Sequence, residues 1–317
     1  MLDFNELRVF VAGHSGLVGS ALIRYLEQRG YKDIITRSRE QLDLTCQSSV
    51  RSFFEAETPA HVYLAAARVG GIRGNQLFPA QFIYENIAIA SNVIDACYRN
   101  GVSKLLYLGS SCIYPKMSPQ PIVEDYLLSG PLESTNESYA IAKIAGLKMC
   151  SAYNRQYGTN FLSVMPTNLY GPMDHYDLDN CHVLPALIRK FHEAKMKGNE
   201  EVVVWGTGAP RREFLFSDDL ARACVFLMES HDAGELGEFV NIGVGEDISI
   251  LDLAQMIGTI TGFKGRIVFD SESPDGTPRK LLDVSRMNNL GWSPTVSLRE
   301  GLERTYQDFQ ERAIGVG

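Results

Sequence analysis

The sequence lacks the marks of several protein classes. It has no long basic run, and 30 Lys plus Arg against 38 Asp plus Glu leave a formal charge of −8. A surface built for nucleic acid or an anionic membrane is therefore not expected, and any anion site must be local. No apolar stretch reaches the ~18 residues that a membrane-crossing helix needs. There are six cysteines (Cys46, Cys97, Cys112, Cys150, Cys181 and Cys224) and no Cys-x-x-Cys pair among them. This spacing offers neither a zinc site nor a disulfide framework and suits a reducing compartment. A cytoplasmic protein without a bound metal is expected, with five of the six cysteines as packing residues. Internal repeats, low-complexity tracts and long linkers are also missing.

What the chain does have is alternation. Residues 7–12 (LRVFVA) read as a buried strand, followed by a glycine turn at 13–19 and a helical run to about Arg29, stopped by Gly30. Strands are expected again at 33–36, 61–66, 104–109 and 160–166, with helices at 50–57, 80–99 and around Tyr139. Strands alternating with helices predict an α/β fold: a Rossmann-type, doubly wound parallel sheet over residues 1–170. At 171–180 (GPMDHYDLDN) the chain turns polar and is punctuated by Pro and Gly. A smaller C-terminal α/β substrate domain should occupy most of 171–317, with segments near 215–245 and 285–317 partly returning to the first domain.

Three features carry chemistry. Gly13, Gly16 and Gly19, lying between a strand and a helix, allow a tight turn, close approach to a diphosphate and close helix packing, with the helix dipole favouring the anion. An NAD site usually offers an acid about 20 residues further on; here the second strand runs into Thr36-Arg37-Ser38-Arg39. Arginines there suit a 2′-phosphate, so NADP(H) is the expected cofactor. Ser110 and Cys112 follow the 104–109 strand, at the carboxyl end where such sheets bind their ligands. Tyr139 and Lys143 lie four apart in a helical run and share a face. A phenol titrates near ~10, and a cation one turn away is expected to lower that value and make Tyr139 usable as an acid or base.

The glycine turn, Ser110 and Tyr139-x-x-x-Lys143 together resemble the extended short-chain dehydrogenase/reductase family. The strings VFVAGHSGLVGSA, VYLAAARVGGI, LGSSCIYPK, LESTNESYAIAKIAG, YNRQYG, VMPTNLYGP, HVLPALIRKFHEA, VVVWGTG and PDGTPRKLLDV are similar, within it, to the GDP-L-fucose synthase family. The resemblance covers the whole chain. It implies an NADPH-dependent 3,5-epimerisation and 4-reduction of GDP-4-dehydro-6-deoxy-D-mannose, by a homodimer joined through the helices near 80–99 and 138–157. It further implies that Cys112 and His182 are the base and acid of epimerisation, that Ser110 and Tyr139 bind the C4 oxygen, and that Tyr139, with Lys143, supplies the proton for reduction. Cofactor contacts would come from Gly13, His14, Ser15, Gly16, Leu17, Val18 and Gly19, from Arg39, and from Leu108, Gly109, Ser110 and Lys143. Pro166, Thr167, Asn168, Leu169 and His182 would complete that set, while Lys190, Trp205, Arg212, Asp275 and Lys280 would hold the GDP-sugar.

Two positions depart from the family's pattern. Ser15 stands where some members place an arginine able to touch the 2′-phosphate, which leaves more of that contact to Arg39. The run MDHYDLDNC (173–181), just before His182, differs from the family's commoner Gly-Pro-His-Asp-Asn. Two other readings stay open: a C5 epimerase and 4-reductase acting on a GDP-4-keto-3,6-dideoxy sugar of the colitose type, and a non-catalytic NADP-sensing regulator.

Overall fold

The computed structural model describes residues 6–178, 181–270, 272 and 275–314; residues 1–5, 179–180 and 315–317 of the segments assigned above lie outside the described residues. The chain begins with β1 (Arg8–Ala12), α1 (Leu17–Gln28), β2 (Asp33–Ile35), α2 (Gln47–Glu57) and β3 (His61–Leu64). It continues through α3 (Ile72–Leu77), α4 (Pro79–Arg99), β4 (Lys104–Leu108), α5 (Glu137–Tyr157) and β5 (Phe161–Pro166). β6 (Asn168–Tyr170), α6 (Val183–Lys197), β7 (Glu201–Trp205), β8 (Arg211–Arg212), β9 (Phe214–Phe216) and α7 (Ser217–Ser230) follow. Next come α8 (Ala233–Leu236), β10 (Val240–Ile242), β11 (Ile248–Ser249), α9 (Ile250–Thr261) and β12 (Arg266–Asp270). β13 (Arg279–Lys280), α10 (Ser285–Asn289) and α11 (Leu298–Ile314) end the chain.

Six strands form one parallel sheet in the order β10-β5-β4-β3-β1-β2. Its strands are mostly apolar because both faces are covered, as parallel sheets require; Arg8, Asp33, His61 and Lys104 stand at strand starts, and Ser163 and Asn241 are the polar residues inside. Phe10, Val62 and Leu105 face α2, α4 and α5, packing with Phe54, Val93 and Leu147. Their neighbours Val9, Val11 and Leu106 point the other way, onto Leu22 and Leu26 of α1 and Val225 of α7. The chain passes from β1 out to β2 and then back across to β3, so strand order reverses between β1 and β3. The carboxyl ends there open into the crevice where such sheets bind ligands. This is the doubly wound parallel sheet read from the sequence.

Three small sheets stand beside it: β11-β8-β13, β12-β7 and β6-β9. A third apolar cluster joins α6, β7, α9 and α11 through Leu187, Phe191, Val204, Leu253, Ile257 and Leu302. Among the described residues no helix is long and apolar enough to cross a membrane. The cysteines divide differently from expectation: Cys97, Cys150 and Cys224 are buried, but Cys46 is exposed and Cys181 partly so. Cys46 lies at the N-cap of α2, outside the helix's apolar stripe, where its sulfur meets the Ser48 and Ser49 hydroxyls.

One buried group makes the fold acid-sensitive. His61, at the start of β3, is 4% exposed, and its Nδ1 finds no partner among the described residues. Burial first, and the Lys104 ammonium second, push its pKa down to about 4. The unfolded imidazole takes up a proton near ~6.5 while the folded one resists until about 4. The folded state thus loses stability as pH falls through that window, by about 3 kcal/mol in all. In urea unfolding at pH 7 and pH 4.5, His61→Gln should lose less stability than the parent on acidification, by roughly 2–3 kcal/mol. Equal losses in both proteins would clear His61 of this role.

Candidate active site

The cofactor end is built of backbone. Gly13 ends β1 with φ of +84°, and a Cβ there would lie 2.7 Å from the Ala66 nitrogen. Gly19, in the first turn of α1, approaches so closely that a Cβ would sit 2.0 Å from the Gly13 oxygen. The turn therefore packs against α1 with no space for side chains. No side chain caps the N-terminus of α1, and no acid lies in its first turn. His14 and Ser15 form the turn, and Leu17 and Val18 open the helix, whose first amides have no side-chain acceptor. These features fit a dinucleotide diphosphate.

The two arginines beyond β2 part ways. Arg37 bonds the Thr36 carbonyl, pairs with Glu57 and lies 5.5 Å from the Phe53 ring centroid. Arg39 has 68% of its side chain exposed and only a long, 3.5 Å contact to Glu85. Of the pair, Arg39 is the one placed to turn toward a 2′-phosphate.

At the end of β4 the reactive groups converge. Gly109 packs against the end of the Met165 side chain, where a Cβ would meet the sulfur at 2.1 Å. Ser110 begins a short 3-10 turn, and its Oγ accepts from the Cys112 amide at 3.3 Å. Lys143, 5% exposed, donates to the Leu108 carbonyl at 2.7 Å and lies 5.1 Å from the Tyr107 ring centroid and 5.8 Å from that of Tyr139. Helix α5 thereby sets Tyr139 beside Ser110, with the Phe82 ring edge-on 6.4 Å away.

The electrostatics differ from the reading of the sequence. Burial raises the Tyr139 phenol well above its ordinary value and the Cys112 sulfur adds to the rise, while the Ser110 hydrogen bond opposes it. The expected lowering by Lys143 is not found: the ammonium is engaged by the Leu108 carbonyl and lies beside the rings. Tyr139 as a whole is half-buried, and its hydroxyl is hydrogen-bonded with Ser110. Burial pushes Lys143 itself down to about 8.

The opposite wall comes from the small sheets. Lys280 of β13 contacts the Cys112 sulfur at 3.6 Å, and the parallel register sets Lys280 opposite Arg212 of β8. Burial lowers the Arg212 pKa, against the pull of Asp275. Asp275 accepts from the Thr207 amide and hydroxyl at 2.7 and 2.9 Å. Lys190 lies 5.2 Å from the Trp205 ring centroid, and Trp205 is 66% exposed. His182 is the N-cap residue of α6 and stays water-exposed. Its imidazole is held below the ordinary value by crowding around the ring first and by Lys280 second. Because water reaches the residue, the Lys280 repulsion is the firmer of the two causes.

Ser110, Cys112, Tyr139 and Lys143 therefore form one cluster, joined by Lys280. Lys190, Trp205, Arg212 and Asp275 line a second region alongside. Pro166 and Leu169 flank the buried Thr167 and the half-buried Asn168, which both bond the Glu213 carbonyl. A narrow cleft of about 50 Å³ opens beside Cys112, lined also by Lys116, Glu133, Asn136 and Lys280. Of the divergent run 173–181, Asp179 and Asn180 lie outside the described residues. Reading the sequence missed Tyr107, which supports Lys143, and Glu213, a fully buried acid whose only signal was a charge placed before the apolar run FLF.

Residues 9–243 match the NAD dependent epimerase/dehydratase family. A probable GDP-L-fucose synthase from Oryza sativa subsp. japonica is 57% identical over 97% of this chain and 93% of its own length. The GDP-L-fucose synthase of Escherichia coli K12 is 54% identical over 97% and 98%. A GDP-L-colitose synthase from Yersinia pseudotuberculosis stands further off, 36% identical over 96% and 98%. Among solved structures, a GDP-mannoheptose C4 reductase from Campylobacter jejuni with NADP bound superposes with a TM-score of 0.91, 39% identical over 98% of this chain and all of its own. The glycine turn, the parallel sheet and these relatives agree, and the chain belongs to the NAD dependent epimerase/dehydratase family, on the branch of the GDP-L-fucose synthases.

Proposed function

We propose that the protein is an NADP(H)-dependent 3,5-epimerase and 4-reductase converting GDP-4-dehydro-6-deoxy-D-mannose to GDP-L-fucose. The observation that carries this reading is the meeting of a thiol, a phenol, a serine hydroxyl and two lysines at the carboxyl end of β4. Reduction alone would need only the hydroxyls and Lys143; the thiol and His182 add the acid–base pair that epimerisation requires.

Arg212 and Lys280, opposite each other in neighbouring strands, offer two cations to the sugar nucleotide's diphosphate, with Lys190 as a third. Trp205 and Asp275 line the sugar and nucleotide pocket. Asp275 is held by Thr207, so its carboxylate keeps a fixed direction. Residues 13–19, Arg39, Leu108–Ser110, Lys143, Pro166–Leu169 and His182 would hold the cofactor. A ketone at C4 makes the protons on C3 and C5 acidic. At each centre in turn, Cys112 takes the proton from one side of the ring and His182 delivers a proton from the other; exchange with solvent resets both groups before the second centre reacts. Ser110 and Tyr139 donate to the C4 oxygen and stabilise the enolate between those steps. NADPH, when bound, supplies the hydride that C4 receives. Tyr139 then gives its proton to the C4 oxygen. Burial keeps the phenol protonated until that moment, and the Lys143 ammonium offsets the charge left behind.

Two copies of the chain pair through α4 and α5, whose outer face exposes Tyr84 at 70%, Tyr157 at 46% and Ile141 at 40%. Its unpaired cysteines suit the cytoplasm. The 3,6-dideoxy alternative needs the same residues, and the greater similarity to GDP-L-fucose synthases favours the 6-deoxy substrate. Incubation with GDP-4-dehydro-6-deoxy-D-mannose and NADPH, followed by identification of the sugar nucleotide, decides between them. A product other than GDP-L-fucose overturns the assignment.

Cys112→Ala should abolish solvent deuterium uptake at C3 and C5 while the protein stays folded and binds NADPH. Normal uptake in that variant removes the thiol from the mechanism. Tyr139→Phe should slow reduction on the order of 10²-fold or more, and an unchanged turnover would discard it as the acid. With Lys143 titrating near 8, the reduction rate should fall as pH rises through that value and the ammonium is lost. Lys143→Arg, which stays charged, should remove that alkaline decline; a decline identical to the parent's would trace it to another group.

A further inference from the structure

Glu213 lies between β8 and β9 and is fully buried, at 0% exposure. A carboxylate taken out of water costs several kcal/mol unless its oxygens are satisfied. Here backbone amides from two distant segments satisfy them. Oε1 accepts from the Val244 and Gly245 amides, the latter at 2.8 Å, and Oε2 accepts from the Leu282 amide at 3.0 Å. The residue's own backbone completes the junction: its amide donates to the Lys280 carbonyl at 3.3 Å, and its carbonyl accepts from Thr167 Oγ1 and Asn168 Nδ2 at 3.3 and 2.8 Å.

Glu213 thus grips residues 280–282 twice, once through its main chain and once through its side chain. From that segment Lys280 reaches the Cys112 sulfur at 3.6 Å. Gln120 holds the same segment from the other side, accepting from the Leu281 amide at 2.8 Å. The lysine stem is flexible and costs rotamer entropy to fix; a backbone pinned on both sides is what keeps its ammonium at the thiol. No other side chain can replace the acid unchanged. Glutamine would turn its NH₂ toward either the Leu282 amide or those of Val244 and Gly245, setting donor against donor. The carboxylate also packs directly on Gly243, where a Cβ would come 2.2 Å from Oε1.

We propose that Glu213 is a positioning residue for epimerisation: by pinning residues 280–282 it holds the Lys280 ammonium against the sulfur of Cys112, the group that acts as base. This rests on the epimerase reading above, and one arm of the test is independent of that reading. Glu213 is wholly enclosed by protein and acts through Lys280.

The test is a double-mutant cycle of Glu213→Gln, Lys280→Met and the double variant. In the first arm, peptide-resolved mass spectrometry follows alkylation of Cys112 by iodoacetamide at fixed pH, with no sugar present. Glu213→Gln and Lys280→Met should each slow it on the order of tenfold, and the double variant should be no slower than Lys280→Met. In the second arm, deuterium uptake into the keto sugar should fall by a similar factor, with the same lack of additivity, while the NADPH dissociation constant stays within about twofold of the parent's. A merely structural role would give losses that multiply in the double variant, or would weaken NADPH binding as well; either result overturns the proposal. So does unaltered alkylation in Glu213→Gln. If the parent itself takes up no deuterium, the epimerase reading fails while the alkylation arm still judges the Glu213–Lys280–Cys112 coupling. Should Glu213→Gln not fold, Glu213→Asp, which keeps the charge but draws it back by one methylene, is carried through the same cycle. Loss of folded protein in both assigns Glu213 to stability alone.

Discussion

A lysine ammonium buried beneath the sheet's carboxyl edge and donating to the end of β4 fixes the rest of the site. Lys143 bonds the Leu108 carbonyl and lies beside the Tyr107 ring, while the Tyr107 hydroxyl returns a hydrogen bond to the Lys143 carbonyl at 3.3 Å. Close packing reinforces the join, because a Cβ on Gly146 would come 2.4 Å from the same tyrosine ring. Helix and strand are locked at one height, and Tyr139, one turn earlier, is carried to Ser110. Desolvating the ammonium is costly, and the cost appears as its depressed pKa, near 8. The site thus holds a lysine close to titration and a phenol firmly protonated. A proton donor with a compensating charge at its back needs both.

The two walls of the cleft follow different designs. The cofactor wall is main chain: a glycine turn, a helix terminus and strand ends, all belonging to the large sheet. The facing wall is made of charged side chains on two-residue strands, β8 and β13, too short to be rigid alone. Their rigidity comes from buried polar groups. Asp247 grips Arg211 and Arg279 at the outer edge, and Glu213 joins three segments at the inner one. A wall of this kind can change its charges while the sheet stays as it is, and function on a shared fold varies through such grafted sites.

Much of this was legible because the forces involved are local or periodic. A parallel sheet buried on both faces writes itself as apolar runs such as LRVFVA and HVYL, and a helix carrying Tyr139 and Lys143 writes itself in their spacing of four. The glycine turn was equally open to reading, since only glycine fits where Gly13 and Gly19 nearly touch. What stayed hidden depended on neighbours far along the chain. Arg39 was singled out by resemblance alone, and the reason Arg37 stands apart from it, its pairing with Glu57, lies 20 residues along the chain. The pull of Lys143 on Tyr139 was judged from helix spacing alone, and desolvation by the surrounding fold reversed it. Cys46 was grouped with packing residues, but its place at a helix N-cap put it in water.

The order of residues by itself determined the alternation of strand and helix, the phosphate-type turn and the shared helix face of Tyr139 and Lys143, because backbone sterics and side-chain periodicity act within a few residues. Tertiary structure alone decided which charges meet. Lys280 lies 168 positions from Cys112, and Glu213 lies 69 from Leu282. Contacts at such separation exist only after the apolar core has closed, and the protonation of every buried group is set by that closure.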